Sequence, residues 1–287
     1  MSLRIDDACI PCLVNQSLKI LRMTGSPNRE DCLREIFTCL SRVDWNRTAP
    51  EIGGEVFRVL TRFTGNPDPF REIRSQCNRQ MLALKDSFAM DSLEEGIRIA
   101  IAGNVIDFSP AQSGDSSELT AQVARVAAQP LAVNRVKELE QDLAGAENLL
   151  YVLDNCGEIV LDGLLMGYLR QRFPKLQITA AVRGEPVVND VTLQDAEEAG
   201  LSRYARVITN GDYIQGTLPS RSGEEFRRCW QQADVVLCKG QANLECMDRE
   251  EKNLYFLLMA KCPHIARCAG VKPGSLVCMK REDIREG

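Results

Sequence analysis

The sequence predicts an α/β fold: a Rossmann-like, three-layer α/β/α domain with a mostly parallel sheet, preceded by an all-helical N-terminal region. Up to about residue 145, apolar residues recur at three-and-four spacing, as on helices with one buried face. From about residue 147, short apolar runs alternate with helix-length segments, which is typical of parallel strands covered on both faces. We therefore divide the chain into a helical domain at 1–145 and an α/β domain at 146–287.

The N-terminal helices are predicted from apolar periodicity, with prolines between the segments. Three segments carry that periodicity clearly: LVNQSLKILRM, CLREIFTCLSRV and EEGIRIAIAGNVIDF. The segment ELTAQVARVAAQPLAVNRVKELEQDLAGA predicts one or two more helices, and Pro130 must end or kink that pattern. We therefore expect helices, and no strands, in the first domain.

The later elements are predicted from short apolar runs that are followed by polar loops. Six runs are predicted as strands: NLLYVLD, QITAAVR, ARVIT, ADVVLCKG, LYFLLMA and SLVCMK. Two intervening segments fit the crossover helices that parallel strands require: IVLDGLLMGYLRQRF and SGEEFRRCWQQA. The sheet is accordingly expected to carry helices on both faces.

Composition places the chain among ordinary globular proteins and narrows its partners. Hydrophobic residues make up 44% of the chain and charged residues 26%. The net charge of −5, without a basic run, argues against nucleic acid as the main partner. No apolar stretch approaches the roughly 20 residues that span a bilayer, and the N-terminus lacks a signal-peptide pattern. We therefore expect a soluble, cytoplasmic protein with no membrane partner.

Cysteine and histidine content limits the metal chemistry. The chain has 12 cysteines, and in a cytoplasmic protein most of them should be reduced thiols. The single histidine, His264, is expected to be a structural residue, because a His-rich zinc site or a Ser-His-Asp triad needs partners that are missing. Cys9 and Cys12 could hold a metal, act as a redox pair or be two plain thiols. A catalytic metal would therefore depend mainly on oxygen ligands.

Polar loops that follow the predicted strands carry the candidate site. Asp154 and Asn155 follow NLLYVL, Asp190 lies in the loop after QITAAV, and Lys239-Gly240 follows ADVVLC. These loops should meet, because ligands in such sheets bind beyond the carboxyl ends of the strands. The two aspartates and the asparagine offer hard oxygen ligands for Mg²⁺ or Mn²⁺, and the lysine offers a positive charge for a phosphoryl oxygen. The glycine lets a backbone N–H approach an anion. The set predicts metal-dependent phosphate chemistry, with a carboxylate or an activated water as nucleophile.

Other interpretations fit parts of the same pattern. Each loop taken alone also fits a turn or a helix cap. An acidic residue at a strand end could bind a ribose, which keeps an S-adenosylmethionine-dependent methyltransferase open, whereas the missing Gly-x-Gly-x-x-Gly motif argues against NAD or FAD. Cys156 stands where the haloacid-dehalogenase mechanism needs a second aspartate, so that mechanism is disfavoured. A non-enzymatic thiol or metal-binding protein would explain the cysteines but not the polar loops.

Seven segments, spread over nearly the whole chain, form a distinctive set of motifs: DNCGEIVLDGLL, RGEPVVNDVT, CKGQANLE, AKCPHIARCAGVKPGS, CIPCLVNQ, NPDPFREIRSQCN and AIAGNVIDF. These motifs resemble those of the DUF89 family of damage-control phosphatases, also called ARMT1-like. The N-terminal Cys-x-x-Cys resembles the mainly prokaryotic branch. The segment that begins at Arg74 departs from the family pattern, in which a lysine is expected there.

The resemblance implies a phosphatase for small phosphorylated metabolites, such as sugar phosphates or damaged phosphometabolites, activated by Mn²⁺, Co²⁺, Ni²⁺ or Mg²⁺. It implies that Asp154, Asn155 and Asp190 hold the metal in the α/β domain, which is then the catalytic domain. The phosphate-binding lysine falls on Lys239. Further positions near the site or facing the substrate are Glu158, Asn243, Glu245, Asn104 and Asp107. The physiological substrate, the native metal and the oligomeric state stay open.

Overall fold

One seven-stranded sheet forms the centre of the molecule in a computed structural model that describes residues 3–26, 28–105 and 116–285. Its strands are β1 (Leu131–Asn134), β2 (Asn148–Val152), β3 (Gln177–Val182), β4 (Arg206–Thr209), β5 (Val235–Lys239), β6 (Leu254–Met259) and β7 (Leu276–Lys280). The strand order is β1-β7-β6-β5-β2-β3-β4, and every neighbouring pair is parallel except β6 with β7. The predicted α/β fold with a mostly parallel sheet is therefore confirmed.

Twelve α-helices lie in the described part of the chain. Six precede the first strand: α1 (Cys9–Thr24), α2 (Arg29–Ser41), α3 (Ala49–Thr64), α4 (Arg71–Leu84), α5 (Leu93–Ala102) and α6 (Ser116–Ala127). Six follow strands: α7 (Val136–Gly145), α8 (Glu158–Arg172), α9 (Leu193–Glu198), α10 (Glu224–Gln232), α11 (Gly240–Met247) and α12 (Pro263–Cys268). The two predicted crossover segments correspond to α8 and α10.

The central strands of the sheet are apolar along nearly their whole length because both faces of the sheet are buried there. In β2, Leu149 and Tyr151 pack into the core that also contains α5 and α8, whereas Leu150 and Val152 pack into the core on the opposite face. Alternate residues of a strand point to opposite faces, so a strand covered on both sides has apolar residues at every position. This explains why the strands appear in the sequence as continuous runs and not as an alternating pattern.

The segment that follows Pro130 differs from its prediction. Residues 131–134 form β1, which pairs in parallel with β7 at the edge of the sheet, so the prediction of a helix there was wrong. Pro130 ends the preceding helix, and a four-residue strand is too short for its apolar pattern to differ from one turn of a helix. The described chain is consequently all-helical only as far as α6, and residues 131–145 belong with the sheet.

The order of the strands creates a crevice next to β2. From β2 the chain runs outward through β3 and β4, and then returns to place β5 on the other side of β2. The loops after β2 and β5 therefore leave the sheet toward opposite faces, and a gap opens between them at the carboxyl ends of the strands. Such a switch point is where ligands bind in open α/β sheets.

The helices before β1 cover this crevice. Helix α5 packs on α8, α4 packs on α8 and α9, and α3 contacts α11. Helix α3 begins with a capping box, because the Thr48 backbone N–H donates to Glu51 and the Thr48 hydroxyl accepts a hydrogen bond from the Glu51 backbone N–H.

Within residues 3–26, 28–105 and 116–285, no helix has the length and apolar character needed to cross a bilayer.

Candidate functional site

A cavity of about 890 Å³ lies between the N-terminal helices and the carboxyl ends of the strands. One wall comes from α1, α3 and the turn after α5. The opposite wall comes from the loops after β2, β3 and β6 and from the start of α11. A cavity of this size accommodates a small metabolite. It receives Asp154, Asn155, Asp190, Asn104 and Glu245 from the predicted set.

Asp154 and Asp190 approach each other because their loops are hydrogen bonded. Asn155 forms an antiparallel bridge with Asp190. The Val191 N–H donates to the Asp154 carbonyl oxygen at 2.9 Å, and the Cys156 N–H donates to the Asn189 carbonyl oxygen at 2.9 Å. The two carboxylates are thereby held at the same edge of the cavity, as the strand-end rule predicts.

Arg183, the first residue after β3, lies between these carboxylates. Its side chain is buried, and its Nε donates to Asp190 Oδ2 at 2.6 Å. Its Nη1 donates to the Thr217 hydroxyl at 2.8 Å, and its Nη2 lies 3.6 Å from Asp154 Oδ1. The pKa of Asp190 is raised to about 7, chiefly by burial. The negative charge of Asp154 raises this pKa further, and the positive charge of Arg183 only partly opposes the rise. Arg183 was not among the predicted site residues, although it is the last residue of the predicted strand QITAAVR.

Two amides share Asp154 Oδ2. Asn155 Nδ2 donates to it at 2.7 Å, and Asn104 Nδ2 donates at 3.2 Å. Asn104 lies in the 3-10 turn Gly103–Val105 after α5, so the N-terminal helices contribute a residue to the site. The sequence prediction placed Asp107 beside Asn104, but that residue lies outside the described residues.

Gly240 leaves the space that the Asp154 carboxylate occupies. Its φ is +76°, and a Cβ at this position would lie only 1.9 Å from Asp154 Oδ2. A side chain would therefore displace the carboxylate as well as strain the backbone. The prediction assigned this glycine to an anion-binding backbone N–H, and the structure adds its close approach to the metal-ligand candidate.

Lys239 lies on the interior side of the same strand end. Its ammonium group is fully buried and donates to Glu158 Oε1 at 2.6 Å, Asp162 Oδ1 at 2.6 Å and the Ala100 carbonyl oxygen at 3.0 Å. Three donors thus have three acceptors. Burial alone would lower the pKa of Lys239, but the two carboxylates outweigh it and raise that pKa. The cavity wall does not include Lys239.

Glu158 connects this interior cluster with the candidate metal ligands. Its second oxygen, Oε2, accepts from Asn155 Nδ2 at 3.3 Å, and the whole side chain is buried. Burial is also the main reason why the pKa of Glu158 is raised to about 7, against the attraction of Lys239. Glu158 therefore lies behind the cavity wall and orients Asn155.

Lys261, unlike Lys239, lines the cavity. It follows β6 by two residues, its side chain lines the cavity, and its Nζ donates to Asn104 Oδ1 at 2.5 Å and to the Asn104 carbonyl oxygen at 2.7 Å. Its backbone N–H donates to Gln241. Lys261 was not among the predicted site residues, although the same strand-end rule that selected Asp154 applies to it.

Asn243 and Glu245 lie on α11 with different environments. Asn243 is fully buried, and its Nδ2 donates to the carbonyl oxygens of Leu153 at 3.1 Å and Lys239 at 2.7 Å. It therefore joins the ends of β2 and β5 and does not line the cavity. Glu245 lines the cavity, and burial, with a smaller effect of Asp248, raises its pKa to about 8.

The cysteine pair lies on the far wall of the cavity. Cys9, Cys12, Cys262 and His264 all line it, and His264 Nδ1 lies 3.5 Å from Asp6. Burial raises the pKa of Cys9 to about 11, so this thiol is protonated at neutral pH. In the part of the chain that the structure describes, no three His, Cys, Asp or Glu side chains are grouped as metal ligands.

The donors at the switch point could hold a hard divalent cation. Asp154 and Asp190 supply two carboxylates and Asn155 supplies an amide, which is a set of oxygen donors suited to Mg²⁺ or Mn²⁺. The space beside Gly240 and the bridge between the two loops keep these groups together. Such a site, with Lys261 a short distance away on the same cavity, can bind and polarise a phosphate group.

Comparisons with known proteins agree with the resemblance inferred from the motifs. The chain matches the family described as the damage-control phosphatase ARMT1-like domain over residues 5–277. It is 32% identical over 290 residues to a damage-control phosphatase of Pyrococcus horikoshii, covering 98% of this chain and 99% of that protein. It is 31% identical over 281 residues to a damage-control phosphatase of Archaeoglobus fulgidus, covering 95% and 90%.

A solved structure has the same fold. The crystal structure of a DUF89 family protein from Pyrococcus horikoshii superimposes with a TM-score of 0.90 at 30% identity, covering 97% of this chain and 99% of that one. The likeness therefore includes the N-terminal helices as well as the sheet.

Proposed function

Because the chain belongs to the family of damage-control phosphatase ARMT1-like domains, we propose that it is a phosphatase that hydrolyses phosphate monoesters of small metabolites with a divalent metal ion. The observation that carries this proposal is the pair Asp154 and Asp190, which the bridge between their loops holds together at the switch point, where both line the cavity. Family membership favours this activity over the methyltransferase and over a non-enzymatic thiol protein.

Asp154, Asn155 and Asp190 are the residues that would hold the metal. When bound, a divalent cation supplies Lewis-acid polarisation of a phosphoryl oxygen. Mg²⁺, Mn²⁺, Co²⁺ and Ni²⁺ are the candidates. Arg183 keeps Asp190 in place from behind, and Asn155 and Asn104 orient Asp154 through its Oδ2.

Lys261 is the residue that we assign to the phosphoryl group of the substrate. It is exposed to the cavity, whereas the three donors of Lys239 are all used in the interior. Asn104 holds the Lys261 ammonium group beside Asp154, so a phosphate between them would contact the metal ligands and the lysine together. Lys239 then serves to position Glu158, which orients Asn155.

The rest of the cavity supports a small polar substrate. Side-chain amides of Asn15, Gln16, Gln215 and Gln241 line it, and such groups can donate to and accept from hydroxyl groups. Phe70 adds an apolar surface. Sugar phosphates and damaged phosphometabolites fit this chemistry, and we propose them as the substrate class.

Hydrolysis of p-nitrophenyl phosphate by metal-stripped protein tests the proposal. Mg²⁺, Mn²⁺, Co²⁺ and Ni²⁺ are added back one at a time, first with this compound and then with a panel of sugar phosphates. We expect activity only with metal, and a loss of roughly 10³-fold in kcat for Asp154→Asn and for Asp190→Asn. Full activity in the metal-free protein, or in both variants, would exclude the proposed site.

A further inference from the structure

Helix α4 contacts both of the loops that carry the candidate metal ligands. Arg74 and Asn78 lie one turn apart on this helix and therefore point to the same side. Both side chains are almost fully buried, with exposed fractions of 2% and 1%. Neither residue lines the cavity, and neither belongs to the predicted site.

Asn78 joins the start of α8 to the start of α9. Its Oδ1 accepts from the Gly157 N–H at 2.7 Å, and its Nδ2 donates to the Asp195 carbonyl oxygen at 3.1 Å. Gly157 is two residues after Asn155 and has a φ of +79°. The side chain thus connects the loop after β2 with the segment that follows the loop of Asp190, and both of its hydrogen bonds are to backbone groups.

Arg74 holds the second loop from the same side. Its Nε donates to Asp195 Oδ2 at 2.9 Å, and its Nη1 lies 3.4 Å from the Val188 carbonyl oxygen. Two further donors form a fork with the Asp68 carboxylate at 2.6 and 2.7 Å. This pairing satisfies the guanidinium group and fixes its direction.

Val188 shows that this loop is held in an unfavourable conformation. It has a φ of +47°, and it is the one residue other than glycine with a positive φ in the described part of the chain. A β-branched residue persists in that region only when its surroundings impose it. Val188 is two residues before Asp190 and lines the cavity, so the strain lies beside a candidate metal ligand.

We propose that Arg74 and Asn78 are positioning residues, which set the distance between the Asp154–Asn155 loop and the Asp190 loop. The inference rests on the proposed function for the role of those ligands. In this proposal the metal site depends on a helix outside the sheet, because α4 is one rigid element that contacts both loops. Loops that are not held in this way would sample separations at which the three ligands cannot act together.

A role in packing alone would give a different result. Loss of a buried hydrogen bond between α4 and the sheet would lower the free energy of unfolding and leave metal affinity unchanged. A positioning role requires that metal affinity falls in protein that is still fully folded. Measurements of metal affinity and of local opening of the two loops therefore distinguish the two roles, whereas stability and activity do not.

The experiment compares full-length Asn78→Ala and Arg74→Lys with a matched control, Asn253→Ala. Asn253 donates to Asp142 at the opposite end of the sheet, so its replacement removes a side-chain hydrogen bond remote from the cavity. Mn²⁺ affinity is measured by calorimetry on metal-stripped protein at a temperature where circular dichroism shows all variants folded. We expect Asn78→Ala to bind Mn²⁺ at least about tenfold more weakly, Arg74→Lys to be affected less, and the control to match the wild type.

Hydrogen exchange in the metal-free proteins gives a second readout. Peptides that contain residues 154–160 and 187–193 should exchange faster in both α4 variants than in the wild type or the control. Wild-type affinity together with wild-type exchange in Asn78→Ala would overturn the inference. If the wild type itself binds no divalent metal, the proposed function fails, and unchanged exchange of these peptides would still reject the role of α4.

Discussion

Two charged clusters lie side by side beyond the ends of β2 and β5, and they differ in how their charges are satisfied. In the interior cluster, Lys239 is fully buried and has an acceptor for each of its three donors. In the cavity cluster, Arg183 lies between Asp154 and Asp190: it donates a hydrogen bond to Asp190 and lies 3.6 Å from Asp154. Lys239 therefore has no donor left for a ligand and its removal would leave buried carboxylates unpaired, whereas the carboxylates at the cavity keep the capacity to bind one.

Replacement of Lys239 tests the interior half of this comparison. Lys239→Met should lower the free energy of unfolding by about 3–5 kcal/mol, because it leaves two buried carboxylates without their cation. Denaturant unfolding measures the change, and Lys280→Met serves as the control, since Lys280 is partly exposed and should cost less than about 1 kcal/mol. A variant with wild-type stability and a strongly raised KM would instead identify Lys239 as the phosphate ligand.

Replacement of the next residue tests the cavity half. Gly240→Ala should reduce kcat/KM by at least about 100-fold, because its Cβ would displace the Asp154 carboxylate. Gly65→Ala is the matched control: Gly65 also has a positive φ, of +65°, but nothing lies within 4 Å of the added Cβ. It should lose about 1 kcal/mol of stability and keep its activity. Equal activity of the two variants would show that the close approach to Asp154 has no functional role.

Replacement of Lys261 tests which of the two lysines at the strand ends, Lys239 or Lys261, binds the phosphate. Lys261→Ala should lower kcat/KM by about 10- to 100-fold, less than the loss of a buried oxyanion donor, because Lys261 is exposed. The melting temperature should change little. Lys137→Ala, at an exposed lysine away from the cavity, is the control and should be unchanged in both measurements. Undiminished activity of Lys261→Ala would return the phosphate role to Lys239.

Replacement of Glu245 should have a smaller effect, on how the free energy of unfolding depends on pH. Its pKa in the folded protein is about 8, above the ordinary value of 4.5, because of burial and, to a lesser degree, Asp248. The folded state therefore favours the protonated form, and this contribution to stability is complete below about pH 4.5 and is lost as the pH rises to about 8. Glu245→Gln should remove it, so denaturant unfolding at about pH 5 and about pH 8 should differ less in the variant than in the wild type. An equal pH dependence in both proteins would contradict the shifted pKa.

The strand-end residues show how much of the site could be predicted. Asp154, Asn155 and Asp190 were selected because they follow predicted strands, and the structure brings them together for that reason. Lys239 was selected by the same rule, but its side chain points into the interior because it pairs with Glu158 and Asp162. Those two residues lie on α8, the helix that follows β2, whereas Lys239 ends β5. No local pattern shows to which side of a strand end a side chain turns. Lys261 also follows a predicted strand, but it was not among the predicted site residues.

Local sequence thus determined the order of the helices and strands after residue 146, the parallel character of the sheet, and the polar loops at its carboxyl ends. These features follow from periodicity and from short-range steric preferences, which act between residues close in the chain. Tertiary structure alone decided that residues 131–134 pair with β7, that Lys239 is buried while Lys261 reaches the cavity, and that α4 contacts both ligand loops. Each of these depends on contacts between residues far apart in sequence, so the physical cause is packing and charge pairing that form only when the whole chain is folded.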